Sequence, residues 1–402
     1  MPDLKSKTLT TIEPVGVQTR LNHEEEQALL QLLREGRTYS TGDQTKEFER
    51  EFSSFIGCAD AVAVNSCSSA LELAAILSGL KEGDEVILPA HTFVATAVPF
   101  ARTGATLRWA DIDPDTRLIS PGAIQALVNE RTKVVVAVHL YGLPTEMDAI
   151  LALSRKHKFQ VVEDCAQAPG ARYKGRRVGS IGDFGCFSFH TAKNITTLGE
   201  GGMLAVRDDK HGVAARRLRW MGNWPFEGER QRYWVPAMNN LVEPTPGEWP
   251  HNFCMGEPNA AVGRLLIKRL DQINEQRRQQ AERFINALSD YPELSFQKVP
   301  AECEHVHHLM VARYDGQPYG KTRDDLIELA YEKYKLKLIV QYWPLNRSEL
   351  FSKHGLGGAN IPQSDRFFDN MVSFPWWSQM GHELVDQMAA RVRSALDELR
   401  LV

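Results

Sequence analysis

None of this chain's cysteines has a close partner. Cys58, Cys67, Cys165, Cys186, Cys254 and Cys303 form no CxxC pair and sit mostly in apolar or strand-like stretches. That excludes a disulfide frame or a zinc-binding pattern and leaves reduced thiols, as in a cytoplasmic protein. An excess of one charge is also missing. The formal net charge is −4, so no nucleic acid and no anionic membrane is an expected partner. No apolar run approaches the roughly 18–20 residues of a membrane span. Residues 1–12 are mostly polar and carry no apolar signal core. Internal repeats and low-complexity tracts are absent too. What remains is an ordinary globular composition, 43% hydrophobic and 24% charged over 402 residues. Single cores stop growing near roughly 250–300 residues. Two domains are therefore expected, a large one over 1–275 and a small one over 276–402.

Strands and helices alternate through the first half. Asn22 caps a helix that Gly36 ends, with Glu24, Glu25 and Glu26 in its first turn. A second helix spans Thr45 to Phe55, with Phe48, Phe52 and Phe55 at core spacing. Strands are expected at Ala61–Ser66, Asp84–Pro89, Ala105–Asp111, Val134–Leu140 and Phe159–Val162, and two more apolar runs cover Phe184–Phe189 and Met203–Val206. Helices at Ala70–Leu80, Pro121–Val128 and Asp148–Lys156 fall between them. This rhythm predicts an α/β fold with a mainly parallel central sheet covered by helices. Residues 219–251 break it, with Trp220, Trp224, Trp234, Trp249, Pro225, Pro244 and Pro246 alongside Arg230 and Arg232. Such a segment suits a lid or a subunit contact. A long helix over Glu257–Leu288 follows. The strand His307–Arg313, the helix Thr322–Tyr334, the strand Leu338–Tyr342 and the helix Gly381–Leu399 then make a smaller α/β part.

The stretch 184–206 holds the chemistry. Lys193 stands in a loop of hydroxyls and glycines between two apolar strands. A lysine kept from water loses proton affinity and becomes the nucleophilic amine that a Schiff base needs. About 20 residues earlier, the Phe159–Val162 strand ends at Glu163 and Asp164, where open α/β sheets gather ligands. A loop lysine and a strand-end aspartate together suggest pyridoxal phosphate (PLP), which needs a lysine to carry it and a carboxylate beside its ring nitrogen. The hydroxyl-rich turn Ser66–Ser69 opens a helix and would offer free N–H groups to a phosphate.

These motifs resemble the DegT-type sugar aminotransferases, among the PLP enzymes of fold type I. The likeness rests on Val64–Leu71, Pro89–Thr96, Val138–Gly142, Val162–Ala171 and, above all, Ser188–Gly202. The resemblance implies that Lys193 carries the cofactor, that Asp164 meets the ring nitrogen and that Gln167 reaches the ring hydroxyl. It implies Phe93 against the ring and Ser68, Ser69 and Ser188 at the phosphate. Asn252 would reach the phosphate site of a partner subunit, giving a homodimer with shared sites. The implied reaction moves an amino group from L-glutamate or L-glutamine to a keto-sugar, nucleotide-linked, or to a keto-cyclitol. Three positions depart from the family pattern: Cys67-Ser68 replaces Gly-Thr, Leu198 is inserted after Lys193, and Cys254 stands two places after Asn252 where arginine or asparagine is usual. The alternatives are a PLP-dependent sugar dehydratase, whose relatives carry histidine in place of the lysine, a cysteine desulfurase using Cys303, and a non-catalytic regulatory protein that keeps the fold.

Overall fold

The computed structural model of the protein describes residues 9–36, 38–223, 234 and 241–401. Trp224, Pro225, Arg230 and Arg232 lie outside them. The central sheet is built from β1 (Asp60–Val64), β2 (Glu85–Pro89), β3 (Thr106–Ala110), β4 (Thr132–Val138) and β5 (Gln160–Asp164). After two short strands, β6 (Arg172–Tyr173) and β7 (Arg176–Arg177), it is completed by β8 (Phe184–Ser188) and β9 (Gly202–Val206). The order across the sheet is β1-β9-β8-β5-β4-β2-β3. All neighbours from β8 to β3 are parallel, and β9 alone runs antiparallel, between β8 and β1. β2 and β8 are buried from end to end, because helices cover both faces.

The short strand β11 (Cys303–Glu304) pairs with β6, while β10 (Leu294–Phe296), β12 (Met310–Tyr314) and β13 (Met371–Phe374) form a smaller antiparallel sheet. The helix Leu270–Ala287 joins the two bodies. Its first half buries Leu270 and Ile273 with Phe187 and Phe189, and its second half buries Phe284 with Phe374 and Trp376. Residue 275 falls within this helix. Among the described residues no helix is long and apolar enough to cross a membrane.

Local chemistry explains the element ends. Asn22 and Glu25 form a reciprocal capping box on the helix His23–Glu35. The helix Asp43–Ile56 has no cap of its own. The buried carboxylate of Glu257 serves instead, accepting from the Gln44 N–H (2.8 Å) and the Thr45 N–H (3.1 Å). Phe48 and Phe52 on that helix pack on Phe187 and Phe189, with ring centroids 4.9–5.7 Å apart.

Three expectations are corrected. The long helix 257–288 is two, Glu257–Ile267 and Leu270–Ala287. The break is at Arg269, whose guanidinium is drawn to Glu25 (2.5 and 2.8 Å) and to the Arg20 carbonyl (2.7 Å). Leu338–Tyr342 is not a strand and makes a single bridge, Ile339 to Ser373. Gln341 and Tyr342 turn inward to Tyr141 and Gln167 rather than along a sheet edge. The helix expected at Ala70–Leu80 is Cys67–Leu77, because Ser66 caps it by accepting from the Ser69 N–H (3.1 Å). Ser68 and Ser69 thus belong to its first turn.

Candidate active site

Five parallel strands aim their carboxyl ends at one place. Ser66–Ser68 follow β1, Thr92–Thr96 follow β2, Val138 ends β4, Asp164 ends β5 and Ser188 ends β8. All of them line a cavity of about 430 Å³, where the parallel sheet's ligand crevice is expected. Ser68, Phe93, Asp164, Gln167, Ser188 and Lys193 share that lining. Ser69 and Asn252 do not. The Ser69 hydroxyl is turned to the wall, donating to Asn65 Oδ1 (2.6 Å) beside Ser66 Oγ (3.1 Å). Asn252 is exposed, bridged to Trp220.

Asp164 is 5% exposed. Thr96 Oγ1 donates to its Oδ2 (2.7 Å) and the Ala166 N–H to its Oδ1 (3.0 Å). Its neighbour Glu163 points to the opposite face, as alternate strand residues do. There it accepts from the N–H groups of Gly179 (2.8 Å), Ile181 (2.8 Å) and Gly182 (2.6 Å) and faces His139 Nε2 at 3.0 Å. Burial alone would raise the Glu163 carboxyl, yet His139 and these amides hold it below the ordinary range. His139, Glu163 and Cys165 come within 4.8 Å of one another, but the donors around Glu163 already occupy its oxygens. The arrangement anchors the end of β5 and therefore Asp164.

Lys193 is half-buried, its open side on the cavity. Burial lowers its pKa, against the opposing pull of Cys67 and Asp164. Its loop is tied by Lys193 N–H to the His190 carbonyl (2.9 Å), Thr191 N–H to Gly199 (2.9 Å) and Thr197 N–H to Phe189 (2.9 Å). The inserted Leu198 is accommodated at the exposed tip, in the left-handed region with φ 62°. The N-terminal arm straps this loop to the smaller sheet. Gln18 N–H donates to Thr191 (3.3 Å), Thr19 Oγ1 donates to Asn194 (2.7 Å), and Ser378 N–H donates to Gln18 (3.2 Å). Further back, Ile12 pairs on both sides with Lys335 and Lys337 (2.9 Å each).

A phosphate-sized cradle lies at the start of the helix Cys67–Leu77. The first-turn N–H groups of Cys67 and Ser68 have no partner within the helix, and Ser68 and Ser188 border the same space. Gly202 on β9 lets the turn come close, since a Cβ there would lie 2.4 Å from the Ser66 carbonyl carbon and 2.7 Å from the Cys67 nitrogen. Cys67, standing where the resemblance leads one to expect glycine, takes the first helical position and needs no special backbone. Across the cavity the Phe93 ring is 53% exposed and meets Tyr342 edge-on at 5.9 Å. Gln167 accepts from the Tyr141 N–H (2.7 Å) and donates to the Tyr342 hydroxyl (3.2 Å). A cradle, a flat exposed ring, a carboxylate and a proton-poor amine around one space fit pyridoxal phosphate.

Part of the cavity wall was not read from the sequence. Gln18, Gln341, Ser373 and Trp376 line it, and each holds a buried polar atom without a partner: Gln18 Oε1, Gln341 Oε1, Ser373 Oγ and Trp376 Nε1. Such atoms are costly unless something hydrogen-bonds to them. Gln341 was expected as part of the strand Leu338–Tyr342. The other three come from segments some 350 residues apart, with no local pattern to join them. Thr96 was likewise visible only as part of a motif.

Comparison with known proteins agrees with this geometry. The chain matches the DegT/DnrJ/EryC1/StrS aminotransferase family over residues 19–393. It is 35% identical over 387 residues to the spore coat polysaccharide biosynthesis protein SpsC of Bacillus subtilis, covering 93% of this chain and 94% of that one. It is 30% identical over 362 residues to the dTDP-3-amino-3,4,6-trideoxy-alpha-D-glucose transaminase of Micromonospora megalomicea, covering 89% and 91%. Among solved structures, S. venezuelae DesV in complex with a ketimine intermediate superposes with a TM-score of 0.81 at 29% identity, covering 93% of this chain and 94% of that one. The chain belongs to the DegT/DnrJ/EryC1/StrS family and is a PLP-dependent aminotransferase.

Proposed function

We propose that this family member transfers an amino group from L-glutamate or L-glutamine to a keto group on a sugar, nucleotide-linked, or on a cyclitol. The observation that carries this reading is one cavity whose wall brings Lys193 and Asp164 together with four unpartnered polar atoms. The cofactor, when bound, supplies an electron sink for the donor's Cα. Lys193 would hold it covalently, and its free amine would take the proton from the donor's Cα, which the lowered pKa favours. Asp164, fixed by Thr96 and Ala166, holds the proton on the ring nitrogen. Phe93 would lie against the ring, Gln167 would serve the ring hydroxyl, and Ser68 and Ser188 would take the phosphate. Ser69 supports that turn from behind. Gln18, Gln341, Ser373 and Trp376 suit the hydroxyls of a sugar or cyclitol, which can satisfy donors and acceptors alike.

The reading extends to assembly. Asn252 is exposed, and Leu241, Val242 and Trp249 nearby are exposed too, Trp249 by 87%. This supports a homodimer in which Asn252 completes a partner's phosphate site. All six cysteines are free thiols, in keeping with a cytoplasmic enzyme. Residues 1–275 and 276–402 serve as large and small domains.

The test is spectroscopic. Purified holoenzyme is mixed with L-glutamate and the absorbance of the bound cofactor is followed. The aminated enzyme is then offered keto-sugars and keto-cyclitols, and return of the original spectrum identifies the acceptor. Lys193→Ala is expected to lose both the original absorbance and turnover. Undiminished turnover in that variant would refute the reading.

A further inference from the structure

A second cleft, of about 290 Å³, shares no lining residue with the cofactor cavity. Arg117, Arg313 and Arg366 line it against a single acid, Asp115. Arg117 is only 6% exposed. Its Nη2 donates to Ser295 Oγ (2.8 Å), its guanidinium stands 4.9 Å from the centre of the Phe367 ring, and its buried Nε has no partner. Among the described residues no carboxylate forms an ion pair with it. The nearby acids are engaged elsewhere: Asp113 Oδ1 accepts from the Asp115 and Thr116 N–H groups (2.9 and 2.8 Å), and Asp115 reaches Lys298 at 3.7 Å. Arg366 is exposed and has no ion-pair partner among the described residues, and Arg313 reaches only Asp315, at 3.5 Å.

A purely structural Arg117 would pack on Phe367 and be neutralised by an acid. Here no carboxylate among the described residues closes on it: burial and the like charge of Arg313 lower its pKa to about 10, against smaller pulls from Asp115 and Asp113. Its backbone also sits in the left-handed region, φ 62°, which is unfavourable for a residue with a side chain. A buried, unpaired cation beside like charges is unfavourable until an anion joins them. Arg313 and Arg366 also border an adjoining cleft of about 440 Å³ that carries Lys321 and Arg323 alongside Asp315 and Asp369, so cations outnumber acids there as well.

We infer that this cleft is a second ligand site, separate from the cofactor cavity, and that it binds a phosphate group. The planar forks of three guanidiniums match a tetrahedral oxyanion through paired N–H donors, as ammonium groups do not. The phosphate is either a free inorganic anion or the phosphate of a sugar phosphate or nucleotide.

The experiment is calorimetric titration of the holoenzyme, its cofactor site filled, at fixed ionic strength. The probes are inorganic phosphate, pyrophosphate, glucose 1-phosphate and UDP, with sodium chloride as control. Saturable binding of at least one phosphate probe is expected, weakened about tenfold or more in Arg313→Gln and in Arg366→Gln. Arg366 is a surface residue, so its variant tests the site even where Arg117→Gln does not fold. Tightest binding of phosphate or pyrophosphate identifies a free anion, and tightest binding of UDP or glucose 1-phosphate identifies a carried one. Both Arg313→Gln and Arg366→Gln should keep the wild-type spectral response to L-glutamate. Absence of saturable binding by every probe, or equal affinity in wild type and both variants, overturns the inference.

Discussion

At the scale of residues, Lys193 yields proton affinity to burial while Asp164 and Cys67 pull the other way. The sign has a consequence for stability. In the folded apoprotein the amine is neutral over a pH range in which the unfolded chain still carries its proton. The unfolded state therefore binds more protons, and stability rises with pH between the lowered folded pKa and the ordinary value near 10.5. Urea midpoints of the apoprotein measured across that range should climb, and Lys193→Met should flatten the climb. Asp164 makes a different prediction. Asp164→Asn keeps the shape but removes the charge, so the protein should still bind cofactor while kcat falls by about 10²–10³-fold, measured by single-turnover absorbance. These two residues were legible because each interrupts an apolar run, a conflict that local sequence displays. The side-chain direction of Ser69 was not, since it depends on whether the helix begins at residue 67 or at residue 70.

Elements carry the next level. β9 is the strand that reverses, and its first residue, Gly202, pairs with Ser188 on one side and Val64 on the other. The turn Ser66–Cys67 presses onto the face of that glycine. Gly202→Ala would drive a Cβ into backbone atoms, which cannot swing aside as a side chain can. The N–H groups of the helix start should shift, with cofactor affinity falling about tenfold or more while far-UV circular dichroism stays the same. Equilibrium dialysis of the cofactor measures it. Strand and helix types were readable from periodicity, and the parallel sheet followed from their alternation. The interruption of the long helix at Arg269 was not readable, and the partner that holds Arg269 there, Glu25, lies 244 residues away in sequence. Leu338–Tyr342 reads as a strand because it alternates, but Leu338 and Val340 pack into two different cores while Ile339, Gln341 and Tyr342 face the cavity.

At the scale of the whole molecule, histidines decide the response to acid. His91 and His305 are held neutral by burial, with pKa values lowered to about 3, and His307 and His308 are also lowered well below the ordinary value. Their unfolded counterparts take up protons near pH 6.5. Stability should therefore fall as pH drops from about 6.5 toward 3, steeply because several groups act together and because Glu163 contributes in the same direction. Denaturant midpoints at successive pH values check this, and His305→Asn should reduce the slope. The overall division into a large and a smaller α/β part was visible in the chain's length and pattern. What joins the parts was not. The arm from Ile12 to Thr19 is stitched to Lys335 and Lys337 at one end and to Thr191, Asn194 and Ser378 at the other. Any swing of the smaller sheet drags on that cord and hence on the two carbonyls flanking Lys193, so the amine and the roof above it are geared to turn together.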